Sequence, residues 1–361
     1  MRILFVGPSW NGSSARSLRE ALSHLSGMEI EDVSEDCWVP KHRLLPLKCA
    51  NRLLRPLQRA EFEREIVHKL SVMGPDVLLV YKGVWVNLNV LRNARAAQVM
   101  TVNVFPDCSP HAQGRLVRAA MGKYDLVVST KPFHRANWRG VYGYSNECVF
   151  VPHGYDPRVH LWEDVPREDE KCVDVVLAAT WRQQYERLMC EVADQLGCRD
   201  RSVSIIGSGW QKRRRVFPKG WRIAGPLAGR SYGEWARKGR IVVAPVHGEV
   251  SVGGRVQPGD EDTTRTYELA AAGCFFIHRR TPYVEKIYDE SSEVPLFGDA
   301  RELVKLIEYY IPRPEERRAM AVAAHRRAVP AYSIASRAEA VRDHIEVALR
   351  RYRAGFREAA K

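Results

Sequence analysis

The sequence contains no apolar run approaching the ~18 residues that a membrane-spanning helix needs. It has eight cysteines, at positions 37, 49, 108, 148, 172, 190, 198 and 274. None form a Cys-x-x-Cys pair or fall at the His spacing of a zinc site, so reduced, mostly buried thiols are expected. No signal-peptide apolar region or cleavage site follows Met1, and a cytoplasmic location, with peripheral membrane attachment as an option, is the expectation. Gly-x-Gly-x-x-Gly is missing, which argues against a dinucleotide fingerprint. No Asp-x-Asp follows a strand-like run, so no metal and no cofactor is expected; Asp260-Glu-Asp262 has that spelling but lies in a loop leading into a helix.

What is present is charge of one sign. The 361 residues hold 56 Lys plus Arg against 43 Asp plus Glu, a formal charge of +13. The excess is +7 in residues 1–150 and +6 in residues 151–361, so it is not a tail. An anionic partner follows: a sugar nucleotide, a nucleic acid or an acidic membrane surface. A hydrophobic fraction of 45% and this length suit a soluble protein of two domains.

Short β-branched runs alternate with amphipathic stretches, the rhythm of βαβ units. Strands are expected at Ile3–Val6, Glu29–Val33, Val77–Tyr81, Thr101–Phe105, Leu126–Ser129 and Val149–Pro152. A second series runs through 174–179, 203–207, 222–224, 241–245 and 274–278. Two Rossmann-like α/β domains result: an acceptor-side domain over 1–155, a linker over 156–171, and a donor domain over 172–335. A terminal helix, 336–361, is free to return to the first domain. In such sheets ligands bind outside the carboxyl ends of the strands, which makes the interdomain cleft the expected site.

The most informative stretch is Gly259-Asp-Glu-Asp-Thr-Thr-Arg-Thr-Tyr-Glu268-Leu-Ala-Ala-Ala-Gly273. An acidic, hydroxyl-rich loop opens a helix that Thr263 or Thr264 can cap, leaving N–H groups for a phosphate. Arg265 adds a fixed positive charge, and the small residues Ala270–Gly273 allow close packing on the next strand.

This stretch resembles the CgeB-like glycosyltransferases of the GT-B superfamily, which carry an Arg-Thr-(Phe/Tyr)-Glu-x-x-Ala-x-Gly helix. Arg265-Thr-Tyr-Glu268 and Ala271-x-Gly273 match it, and Leu303–Tyr310, Pro314-Glu-Glu-Arg317 and Met320-Ala321 resemble the pattern downstream. The match covers roughly residues 174–345. The resemblance implies a GT-B fold and a nucleoside-diphosphate sugar as donor. It also implies two donor-binding acids eight positions apart, the second of which, on the ribose, is Glu268. The first falls on Asp260, one methylene shorter than the family's Glu, with Asp262 as a substitute. A cation for the diphosphate is implied after the first strand of this half, at Arg182, with Arg187 one turn on.

Further donor contacts are expected from Gly12 and Ser13, in the loop Gly7-Pro-Ser-Trp-Asn-Gly12 after the first strand, and from Gly225 near the base. Asp107 and His111 follow a strand in Phe105-Pro-Asp107-Cys-Ser-Pro-His111 and are the candidate catalytic groups, Asp107 as base if the reaction inverts. His153 sits at the expected hinge.

Two cationic stretches bear on the acceptor. Residues 41–59 hold Lys41, Arg43, Lys48, Arg52, Arg55 and Arg59 without an acid, with Pro46 and Pro56 expected to interrupt any helix. Residues 210–222 include Arg213 and Arg214 between Trp210 and Trp221, whose rings, with Phe217, could stack on bases. An anionic or lipid-linked glycan at a membrane surface, DNA with hydroxymethylated bases, and a small molecule or protein all remain open as acceptor. A non-catalytic sugar-nucleotide-binding structural protein is the reading from another class.

Overall fold

The computed structural model describes residues 1–38, 45–196, 201–252 and 254–359, the side chains of 45–50 and 356–359 excepted. The chain forms two compact units. Met1–Pro152, Val250–Pro258 and Ala335–Lys361 make up the first, and His153–Glu249 with Gly259–Ile334 the second.

The first unit is built on a parallel sheet of six strands: β1 (Arg2–Gly7), β2 (Glu29–Ser34), β3 (Val77–Tyr81), β4 (Met100–Phe105), β5 (Leu126–Ser129) and β6 (Glu147–Phe150). Their order is β2-β1-β3-β4-β5-β6. Every residue of β3 and β4 is buried, because helices cover both faces of a parallel sheet. β6 begins two residues earlier than the sequence pattern suggests, paired to β5 from Leu126 opposite Glu147.

The second unit holds β7 (Val173–Ala178), β8 (Val203–Ile206), β9 (Arg222–Ala224) and β10 (Gly239–Ala244). A hairpin, β11 (Val250–Val252) and β12 (Arg255–Gln257), follows in sequence but belongs to the first unit. β13 (Phe276–Arg279) and β14 (Leu296–Phe297) complete a second parallel sheet ordered β14-β13-β10-β7-β8-β9. The expected strands are all there; β14, two residues long, is too short to show a periodicity. The direction of winding reverses between β1 and β3 in one sheet and between β7 and β10 in the other. Outside the carboxyl ends of those strand pairs lie the crevices in which such folds bind ligands.

Three expectations need correction. Pro46 and Pro56 do not break the basic segment: one helix runs Leu45–Met73 through Pro56. Pro46 falls in the first turn, where its missing N–H has no partner to lose. Pro56 lies among six successive exposed residues, 52–57, while Phe62, Ile66 and Leu70 anchor the later turns in the core. Residues 156–171 are not a free linker but part of the second unit. Pro157–His160 forms a helical turn, Arg230 and Arg237 lie over the Trp162 ring at 4.4 and 5.4 Å, and Glu168 pairs with the fully buried Arg317. Finally, 250–258 groups with the first unit rather than the donor domain, held by a hydrogen bond from Ser109 Oγ to the buried Gln257. The terminal helix Ile334–Ala359 meets the first unit through Arg351 to Glu147 at 3.2 Å and Tyr352 to the Val99 carbonyl at 3.3 Å.

Candidate functional site

At the carboxyl edge of the second sheet, the turns after β7 and β8 lock together. Trp181 N–H donates to the Ser208 carbonyl at 2.8 Å. Gly207, at φ +151°, approaches so closely that a Cβ there would lie 1.8 Å from the Ala179 oxygen. Only glycine fits. This fixes the strand end that leads to Arg182, which is exposed, as is Arg187 on the following helix Gln183–Leu196.

The turns after β7 and β10 are joined in turn: Gly248 N–H donates to Gln184 Oε1 at 2.7 Å, and Gln184 Nε2 returns to the Glu249 carbonyl at 3.2 Å. Loop 259–262 then lies directly on 247–248, with the Asp260 amide donating to the His247 carbonyl at 2.7 Å. A Cβ on Gly259 would come within 2.2 Å of the Gly248 backbone.

That loop delivers the helix Arg265–Ala271. Its position is set by Thr266, whose hydroxyl accepts from the Thr263 amide at 3.0 Å and donates to His278 Nε2 at 2.9 Å. His278 is wholly buried, and burial brings its pKa down to about 4, so the ring is neutral and can accept. Gly273, at φ +66°, ends the helix; its N–H reaches the Ala270 carbonyl and that of Cys274 the Leu269 carbonyl, closing a Schellman motif.

Glu268 does not face bulk water as a solvated helix carboxylate would: its side chain is 13% exposed, and Oε1 lies 3.5 Å from His160 Nε2. His160 Nδ1 accepts from the Asp156 amide at 3.1 Å, which places the ring proton on Nε2, toward the carboxylate. Arg265 spends one guanidinium nitrogen on the Pro245 carbonyl at 2.8 Å and the Tyr185 hydroxyl at 3.3 Å. Its Nε, the Tyr232 hydroxyl and the Thr263 hydroxyl are shielded from solvent without any hydrogen-bond partner. Burial, then the nearby Glu268 charge, pushes the Tyr232 phenol well above its ordinary value, so it keeps its proton. Two of these unused groups, on Tyr232 and Arg265, lie within electrostatic reach of the one carboxylate.

Other expected donor contacts fare differently. Neither Thr263 nor Thr264 caps the helix by a side chain: Thr264 is already helical, with no cap bond. Asp262 is completely buried and accepts from the Tyr267 hydroxyl at 2.6 Å through one oxygen. Asp260 is half-buried. A Cβ on Gly225 would meet the Gln211 amide at 3.3 Å. In the first unit, the amides of Ser9 and Trp10 are taken by Asp36 at 2.7 and 3.0 Å. Ser13 is buried with its hydroxyl on the Pro8 carbonyl, and Gly12, at φ +90°, turns the loop. The helix that follows has no side-chain cap.

Asp107 pairs with Lys82 at 2.8 Å. His111 is held below its ordinary titration range by burial and by Arg118 and Arg255; Nδ1 accepts from Gln257 Nε2 at 3.1 Å, and the ring also bonds the Tyr142 backbone. Nδ1 thereby helps seat the hairpin.

In the basic stretch 210–222 the three aromatic rings are core, while Lys212, Arg213, Arg215, Lys219 and Arg222 are exposed. Trp210, Phe217 and Trp221 are 0, 5 and 7% exposed, and the latter two stack at 5.7 Å. These rings are closed to nucleobases, because burying them is worth more to the unit than leaving them wet. Arg213 makes two hydrogen bonds to Glu186, at 2.7 and 2.6 Å, and Arg214 grips the Pro218 and Lys219 carbonyls. Arg52 and Arg55 are exposed on their helix; Lys41 and Arg43, and the side chain of Lys48, lie outside the described residues.

Residues 182–343 match the family model described as "Glycosyl transferase-like". Among solved structures the chain is similar to HepE of Anabaena in complex with UDP, at 12% identity and a TM-score of 0.64, covering 96% of this chain and 100% of that one. It is similar to sucrose-phosphate synthase of Thermosynechococcus elongatus at 14% identity and 0.66, covering 96% and 100%. A glycosyltransferase of Rickettsia africae matches at 13% identity and 0.62, covering 96% and 97%. No curated protein matches in sequence. The fold is that of the GT-B glycosyltransferases, two Rossmann-like domains.

Within the matched segment, Tyr185 and Tyr232 are candidate-site residues the sequence did not disclose; His160, just upstream of it, is a third. Each reaches Glu268 or Arg265 from a different element, and no local spacing signals that. Among the described residues no group of three or more His, Cys, Asp and Glu side chains could hold a metal ion, and no helix is long and apolar enough to cross a membrane.

Proposed function

We propose that this chain transfers a glycosyl group from a UDP-sugar to a hydroxyl, with the donor held at the carboxyl edge of the second sheet. The observation that carries the reading is the cluster around Glu268, inside the glycosyl transferase-like segment. A carboxylate fixed by His160 suits the ribose diol, and the unused Arg265 Nε–H, Tyr232 and Thr263 hydroxyls suit phosphate oxygens. Arg182, exposed at the end of β7, supplies charge to the leaving diphosphate, with Arg187 behind it. UDP and UDP-glucose bound to HepE favour uridine as the base. A closer relation to the CgeB-like glycosyltransferases rests on Arg265-Thr-Tyr-Glu268 and Ala271-x-Gly273.

For the acceptor, the helix Leu45–Met73 supports a glycan or lipid-linked glycan at an anionic membrane surface. Leu53, Leu54 and Leu57 are 81, 48 and 66% exposed beside Arg52 and Arg55, the pairing of apolar and cationic groups that an acidic interface takes up. For a DNA acceptor the support is weaker, since Trp210, Phe217 and Trp221 are buried.

Thermal shift with UDP-, GDP-, dTDP- and ADP-sugars, followed by release of UDP from UDP-glucose, tests the donor half. UDP-sugars should raise the melting temperature, and Glu268→Ala should abolish both the shift and the release. A protein that binds UDP-glucose without ever consuming it would be a binding protein, and one that ignores all four sugars would sink the reading.

A further inference from the structure

Residues 201–233 of the second unit contain no Asp or Glu, and most of their cations fall in one place, the 3₁₀ helix Trp210–Val216 and the loop after it. Two of these cations are spent inside the unit. Arg213 pairs with Glu186, and Arg214 grips the Pro218 and Lys219 carbonyls. Lys212, Arg215 and Lys219 are exposed, and none of the three side chains has an ion pair or hydrogen bond among the described residues.

The spacing explains the split. Side chains three apart eclipse one another on a 3₁₀ helix. Trp210 and Arg213 therefore share a row that starts in the core, while Lys212 and Arg215 share one turned to solvent, with Lys219 following in the loop. The base of the turn is anchored. The wholly buried Trp210 donates its indole N–H to the Ala179 carbonyl at 2.7 Å, and Phe217 and Trp221 stack at 5.7 Å. Three like charges are thus held out from a fixed support, and their mutual repulsion is relieved by an anionic partner.

The exposed groups suit a lipid surface better than a nucleic acid. No ring is open to stack on a base, since all three are at most 7% exposed. What accompanies the cations is apolar: Val216, at the end of the turn, is 44% exposed. A headgroup layer takes up cations and a small apolar tip together, whereas a phosphate backbone gains nothing from the valine. The helix Leu45–Met73 of the first unit offers three exposed leucines, a single weak anchor. One such anchor gives marginal, reversible attachment, and a basic patch is the kind of second signal that makes it stable.

We propose that the turn 210–219 is a second contact with an anionic lipid bilayer, its Lys212, Arg215 and Lys219 meeting lipid phosphates. The proposal rests on the membrane reading above and adds to it a surface in the other unit, whatever sugar the chain transfers.

The test titrates the full chain with vesicles of phosphatidylcholine, with and without phosphatidylglycerol, in a sedimentation assay at low and at physiological salt. The native protein should bind the phosphatidylglycerol vesicles, more weakly as salt rises. Replacing Lys212, Arg215 and Lys219 together by serine should lower that affinity about 10²-fold, about fivefold for each charge, and leave the melting temperature unchanged. Replacing the equally exposed Arg301, Lys305 and Arg326 of the same unit removes as much charge elsewhere and should stay within about twofold of native. Equal losses in the two variants would mean that only net charge matters and would overturn the assignment, as would native affinity in the first. Tighter binding to a short DNA duplex than to vesicles, lost in the first variant alone, would give the surface to nucleic acid instead. Absence of vesicle binding by the native protein is a separate result, and it would remove the membrane reading as a whole.

Discussion

Glu35, directly after β2 with one carboxyl oxygen shielded and the other facing solvent, predicts a stability effect that needs no substrate. Its carboxyl has an ordinary value of 4.5 and is raised to about 7 in the folded protein, burial being the largest cause. Between those values the folded chain holds a proton that the unfolded chain has released, so the contribution to stability falls as pH rises through this window. Below 4.5 the group is neutral in both states and costs nothing. Above about 7 the folded protein carries the whole cost of a buried charge, about 3 kcal/mol at 1.36 kcal/mol per pH unit, and about 2 kcal/mol once the solvent-facing oxygen is allowed for. Glutamine has the same shape without the charge. Glu35→Gln should therefore match the native protein at pH 4.5 and exceed it by about 2–3 kcal/mol at pH 8, a gain of several degrees in the melting midpoint. Urea melts followed by circular dichroism at the two pH values give the double difference, in which every other titrating group cancels. An equal offset at both pH values, or a loss at pH 8, would show that the carboxyl is not held in the environment described.

His160→Ala removes the ring proton that faces Glu268; UDP should bind about fivefold more weakly, some 1 kcal/mol, by calorimetry, and an unchanged affinity would leave the imidazole without a role in the site. Trp210→Ala empties the centre of the second unit and should cost about 3–5 kcal/mol in a denaturant melt, with no selective effect on DNA binding. A small cost would mean the indole is not core. Replacing Leu53, Leu54 and Leu57 together by serine should release the protein from anionic vesicles in a sedimentation assay without lowering its melting temperature, since all three are exposed. Unchanged pelleting would move the membrane contact elsewhere.

The βαβ rhythm was legible in the sequence because parallel strands buried on both faces read as continuous apolar runs, as Val77–Tyr81 does. The helix at Arg265 was legible for a second reason: it carries several unusual residue types at fixed spacing. Side chains brought together from distant elements left no such trace. His160 lies 108 positions before Glu268, in a polar stretch that reads as linker, and only the packing of Trp162 and Glu168 into the second unit makes it part of the site.

Charge was the least reliable guide. The run 210–222 has the composition of a nucleic-acid patch, yet burial turns its three aromatic rings inward and Glu186 claims Arg213. Local sequence determined the strands and the helix at Arg265, since each follows from neighbouring residues. Tertiary structure decided which polar groups are satisfied and which are left over: His111 Nδ1 is taken by Gln257, while Glu35 and Tyr232 keep atoms without a partner. The physical reason is that a hydrogen bond across elements depends on where the whole sheet places both partners, and no window of sequence contains both.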